Sequence, residues 1–105
     1  MSENLFLIVR TDAPNSEAKR LEAMENHIQY TISNKHRFHV GGALRHEVGA
    51  KAVGSAMIIA AESAEEAHDF ASQDPFDQAG VYKRTDIWHF NAGVGDWLPD
   101  NLKQF

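Results

Sequence analysis

Two short segments of this chain are apolar at both alternating sets of positions, and this restricts the fold more than any other feature. Leu5, Leu7 and Val9 alternate with Phe6 and Ile8, and Val53, Met57 and Ile59 alternate with Ala56 and Ile58. Apolar runs this short read as strands, the first ending after Val9 in Arg10-Thr11-Asp12-Ala13-Pro14, where proline and small polar residues break it. A strand that is apolar on both sides has to be covered on both sides. Between them, Leu21, Met24, Ile28 and Ile32 recur at spacings of three and four, which predicts an amphipathic helix with these four as its buried stripe. Asn15 or Ser16 offers the N-cap, and the helix runs to near Asn34 or Lys35.

The remaining elements follow from local chemistry. Residues 37–40 predict a second strand that runs into a turn at Gly41-Gly42, and residues 53–61 a third. Ser63-Ala64-Glu65-Glu66 has the form of a capping box, in which the Ser63 hydroxyl takes the Glu66 amide and the Glu66 carboxylate returns to the Ser63 amide. The helix it starts ends near Gln73, because Asp74 precedes a proline and is disfavoured in helical geometry. Residues 82–90 predict a fourth strand, with Trp88 and Phe90 on one face and Ile87 and His89 on the other.

The order strand, helix, strand, strand, helix, strand predicts an α+β, ferredoxin-like βαββαβ domain with an antiparallel sheet. Two helices cover only one sheet face, so the second apolar face calls for a partner, and a homodimer packed sheet against sheet supplies it. The domain is expected over residues 1–91. Residues 92–105, with Trp97, Leu98 and Pro99, are expected to form an extension docking on the domain or on the partner subunit.

The 105 residues suffice for one domain, and the formal charge of -5 speaks against nucleic acid and against an anionic membrane surface, both of which need clustered Lys and Arg. There is no cysteine, hence no thiol nucleophile and no thiolate metal site; a cytoplasmic setting is expected. The first residues lack a basic leader followed by a long apolar run, and no apolar run approaches the roughly 20 residues of a spanning helix. The six histidines include no H-x-x-x-H or H-E-x-x-H pattern, and Gly93-Val94-Gly95 lacks the context of a phosphate loop. No metal and no cofactor is expected.

His27 stands apart from the other histidines. It lies at the margin of the first helix's apolar stripe, at three and four residues from Met24 and Thr31, where an imidazole at the helix-sheet seam can titrate near neutrality. Such a group needs an orienting partner, and Asp74 is the candidate. On spacing alone the plainer reading comes first: a satisfied seam histidine and an ordinary turn aspartate. The loop between the second and third strands carries Arg45, His46 and Lys51, a local concentration of positive charge suited to a small anionic organic ligand.

Several motifs change that weighting. Val53-Gly54-Ser55, Ser63-Ala64-Glu65-Glu66-Ala67, Asp74-Pro75-Phe76, Ala79-Gly80-Val81-Tyr82, Trp88 and Phe90, with His27 on the first helix and Gly41-Gly42 after the second strand, resemble the YciI-like (YCII-related) family over about residues 5–91. The resemblance implies a dimeric α/β barrel and a site pairing the helix-one histidine with the aspartate of the Asp-Pro turn, here His27 and Asp74, with Ser55 as a further member. It departs at Gly42-Ala43, where the family often has glycine-proline, and in its longer tail.

What this implies is an enzyme of isomerase or lyase type, working by proton transfer on a small organic molecule. Family members resemble proteins associated with the breakdown of ring compounds. The rival is a dimeric ligand-binding or accessory protein without turnover. A Ser55 hydrolase ranks below both, since no nucleophile elbow surrounds that serine. Because the pair is expected at the margin of the core, His27→Ala and Asp74→Asn are expected to leave stability nearly unmoved.

Overall fold

The computed structural model describes residues 4–98. Its elements are β1 (Leu5–Asp12), α1 (Glu17–Ser33), a 3-10 turn (Lys35–Arg37), β2 (Phe38–Leu44), β3 (Gly54–Ala60), α2 (Ala64–Ser72), α3 (Pro75–Gln78) and β4 (Tyr82–Phe90). All neighbouring strands pair antiparallel in the order β2-β3-β1-β4. This is the expected α+β, ferredoxin-like arrangement with one short helix added.

The register explains which side chains meet. Phe6 pairs with Ile59 and His89, Ile8 with Met57 and Ile87, and Arg10 with Ser55 and Thr85, so these rows share the face beneath the helices. Phe6, Ile8, Met57 and Ile59 join Ala67, Phe70 and Ala71 of α2 in the main core. A second cluster, Ala23, Phe76 and Val81, ties α1 to α3. Leu5, Leu7 and Val9 lie with Ile58, Trp88 and Phe90 on the opposite face, which has no described helix over it. Trp88 is 62% exposed there, and Ala92 with residues 94–98 of the extension lines a hollow with Leu5, Val40, Ile58 and Phe90 on that same face. The rest of the expected extension, including Pro99, lies outside the described residues.

Four local expectations are corrected. Leu21 (76% exposed), Ile28 (44%) and Ile32 (60%) are not the buried stripe of α1. The inward residues are Arg20, Ala23, His27 and Tyr30, whose mean direction is roughly 140° around the helix from the aliphatic three. Specific partners fix that rotation: Arg20 pairs with Asp12, His27 stacks on Phe76, and the Tyr30 hydroxyl donates to the Phe70 carbonyl at 2.7 Å. Burial pushes the Tyr30 phenol up to about 12, so it remains a donor.

Gly41 and Gly42 do not form a turn after β2 but lie within it, opposite Met57 and Ala56. In the cap of α2 the Ser63 hydroxyl does accept from the Glu66 amide, while the Glu66 carboxylate accepts from the amide of Glu62 rather than that of Ser63. Finally, β1 continues past Val9 to Asp12, carrying Arg10 into the sheet.

Candidate functional site

The site forms where the polar end of β1 meets the start of α3. Asp74 is the N-cap of α3, with Pro75 at the first helical position, and its Oδ1 accepts from the Phe76 amide at 2.9 Å. This satisfies one of the amides that a helix start leaves without partners. The same oxygen lies 2.8 Å from Nδ1 of His27, and Oδ2 lies 2.9 Å from the Arg10 guanidinium. Asp74 is 1% exposed and Arg10 is 3% exposed, so a carboxylate and a guanidinium are both withdrawn from water here.

Removing a carboxylate from water raises its pKa, and for Asp74 that is the largest single influence. The bond from His27, the charge of Arg10 and the Phe76 amide outweigh it together and hold the Asp74 carboxyl below its ordinary range. An ionised carboxylate only accepts hydrogen bonds, so Nδ1 of His27 carries the proton and donates. In the neutral ring Nε2 then keeps its lone pair. The imidazole is further fixed by stacking on Phe76, at 3.8 Å between centroids and 7° between planes.

Ser55 enters through Arg10 rather than through His27. Arg10 Nε donates to the Ser55 hydroxyl at 3.0 Å, the guanidinium lies 4.5 Å above the Tyr82 ring, and the Ser55 hydroxyl donates to the Tyr82 oxygen at 3.4 Å. Burial raises the Tyr82 phenol, Arg10 opposing it, so Tyr82 stays neutral. These groups open on a cavity of about 420 Å3 whose apolar walls include Ile32, Phe38, Ala56, Met57 and Phe76. That volume lies within the range of small-molecule pockets. Gly41 and Gly42 also line it, leaving room that side chains would take.

The residues singled out by sequence divide cleanly. His27 and Asp74 are in contact and Ser55 is one guanidinium away. Arg45, His46 and Lys51 do not line this cavity: Arg45 donates to the Ala50 carbonyl, Lys51 pairs with Glu17 at 3.4 Å, and His46 is exposed. Arg10, Arg20 and Tyr82 were missed. Arg10 had a readable signal, since continuing the alternation of Phe6 and Ile8 by one step puts a charge on the helix-covered face. Among the described residues no three His, Asp or Glu side chains group as metal ligands do. Nor is any described helix long and apolar enough to cross a membrane.

No curated protein matches the chain. A solved structure of a 5-chloro-2-hydroxyhydroquinone dehydrochlorinase from Burkholderia phenoliruptrix, in complex with 2,5-dihydroxybenzoquinone, is similar at 35% identity, with a TM-score of 0.76 over 85% of this chain and 95% of that one. A structural-genomics protein from Agrobacterium tumefaciens matches at 11% identity and a TM-score of 0.44 over 84% and 91% of the two chains, a likeness too slight to carry weight. The family model for the YCII-related domain matches residues 4–91, from the start of β1 through the end of β4 and so across every residue of the site. The chain belongs to the YCII-related domain family.

Proposed function

We propose that this protein is a small-molecule lyase in which His27 is the catalytic base. The observation that carries the reading is the 2.8 Å contact between His27 Nδ1 and a carboxylate whose other oxygen is held by Arg10. With Nδ1 donating, Nε2 takes a proton from a ring carbon or hydroxyl of the substrate. The released electron pair forms a new π bond, and the leaving group departs with its own bonding pair from a ring carbon that is saturated in the keto tautomer of the substrate. Asp74 steadies the imidazolium until its proton passes to water, and Arg10 positions Asp74. The Ser55 and Tyr82 hydroxyls offer hydrogen bonds to substrate oxygens.

The similarity to a dehydrochlorinase supports hydrogen halide as the group eliminated. The direct test supplies the purified protein with 5-chloro-2-hydroxyhydroquinone without oxygen and follows chloride. Release well above the spontaneous rate is expected, and a rate equal to the spontaneous one contradicts the proposal.

The same reading includes a homodimer, in the cytoplasm, formed through the uncovered sheet face. Its support is the apolar surface of Leu5, Leu7, Val9, Ile58 and Trp88, which no described helix covers. Leaving such a patch in water is unfavourable at about 25 cal/mol per Å2. Sedimentation at micromolar concentration should give a dimer, and Trp88→Glu should give a monomer; a parent that sediments as a monomer contradicts this.

A further inference from the structure

The cavity carries more positive than negative charge, although the chain as a whole is at -5. Its lining includes Arg10, Arg20, Lys35 and the titratable His27, against the single carboxylate of Asp74. Arg10 is committed to Asp74 and Ser55. Arg20 is committed to Asp12 through two bonds, of 2.8 and 3.1 Å, and lies over the Phe76 ring. Among the described residues Lys35 has no carboxylate within ion-pair distance, so it is the cavity's uncommitted cation.

Its place in the fold gives the charge a direction. Lys35 opens the 3-10 turn directly after α1, and His27, Thr31 and Lys35, all of which line the cavity, follow one another at intervals of four. At 1.5 Å of rise per residue, His27 and Ser33, the last residue of α1, are about 9 Å apart along the helix axis, and Lys35 follows beyond them. Ile32, Phe38 and Met57 give the cavity an apolar wall, and Gly41 and Gly42 add no side chain to fill it. His27 and the exposed Lys35 thus stand toward opposite ends of the α1 side of the cavity. A cation at the edge of an apolar cavity in an acidic protein also concentrates the local field that draws in an anion.

We propose that Lys35 binds the ionised oxygen of a ring-shaped anionic substrate, holding that oxygen at the end of the cavity opposite His27. The ligand class is a planar ring bearing a phenolate, enolate or carboxylate oxygen distal to the carbon that reacts. The orientation rests on His27 marking the reacting end, as in the proposed function; the charge recognition by Lys35 does not.

Binding, rather than turnover, separates the two. Titration calorimetry would compare 2,5-dihydroxybenzoquinone, an acid ionised at neutral pH, with uncharged hydroquinone. Lys35→Gln should weaken binding of the anion about tenfold and flatten its salt dependence, while changing hydroquinone affinity less than twofold. Lys35→Arg should retain most of the anion affinity, and Lys51→Gln, outside the cavity, should behave as the parent. Equal anion affinity in parent and Lys35→Gln, equal weakening of both probes, or no binding of the anion by the parent would each overturn the inference. A protein that binds through Lys35 but releases no chloride would leave this inference standing while the lyase reading failed.

Discussion

His27→Ala should lower turnover by about 10^2 to 10^4, the range that a positioned acid or base contributes, with folding nearly unaffected. The ring is partly open to solvent, at 20% side-chain exposure, and leaves behind a carboxylate that Arg10 and the Phe76 amide still satisfy. Asp74→Asn should lower turnover comparably, and the double variant should be little worse than either, because groups acting as one unit are strongly non-additive. Chloride release under saturating substrate measures all three. Additive losses would show that the two side chains do not work together.

Asp74→Asn will not be as quiet for stability as the sequence suggests. Removing one partner of a buried ion pair leaves the other charge uncompensated, a loss of about 3 kcal/mol, and here the stranded group would be Arg10 at 3% exposure. The pH dependence has a definite sign. A carboxyl whose folded pKa is depressed contributes stability in full above its unfolded value, about 4, and loses it as pH falls through the folded value. The variant should therefore be less stable than the parent at pH 7, with the gap closing in acid. His27→Ala is consequently the cleaner probe of chemistry, and Asp74→Asn the cleaner probe of architecture.

Gly54→Ala should be the most damaging single methyl in the protein. A Cβ at Gly54 would collide with the Arg10 carbonyl oxygen, and its next neighbours are the Arg10 carbonyl carbon and the Thr11 Cα at 3.3 and 3.4 Å. These are backbone atoms of paired strands, so no side chain can swing away. The β1-β3 ladder must part at Thr11 and Gly54, for a loss of about 3 kcal/mol and about 15 °C in melting temperature. Arg10 would move with the ladder and draw the Asp74 carboxylate out of place. Gly42→Ala makes the contrast, since nothing lies within 4 Å of its added methyl. Thermal melts of the two variants check this, and equal melting temperatures would contradict it.

What the sequence made legible is what depends on short-range pattern. The four strands, the capped start of α2 and the break at Asp74-Pro75 each have a local cause, and their order leaves few topologies. His27 and Asp74 were legible from spacing only as candidates, one at a helix margin and the other at a helix end, and it was the resemblance to the YCII-related family that made them a pair. Arg10 was overlooked, although the alternation of Phe6 and Ile8 points to it, because the apolar run stops at Val9 while the hydrogen-bonded strand does not, ladder bonds being indifferent to side-chain polarity. The rotation of α1 was equally hidden, because Arg20, His27 and Tyr30 turn inward through partners on β1, α2 and α3 that are distant in sequence. The loop cations Arg45 and Lys51 stood out by their density, whereas a single lysine after α1 did not. Only the folded cavity distinguishes Lys35 from its neighbours.

At the centre of this account is a His27 whose Nδ1 carries a proton donated to an ionised Asp74, so that in the neutral ring the lone pair lies on Nε2. Nitrogen-detected or long-range proton-nitrogen correlation NMR on protein labelled in histidine reads this directly, with His27→Ala assigning the signals. At a pH where the free side chain is neutral, the account predicts His27 Nδ1 resonating as a protonated nitrogen and Nε2 as an unprotonated one, with the pattern lost or averaged in Asp74→Asn. A His27 that carries its proton on Nε2, or that averages between tautomers in the parent as it does in a free peptide, would contradict it.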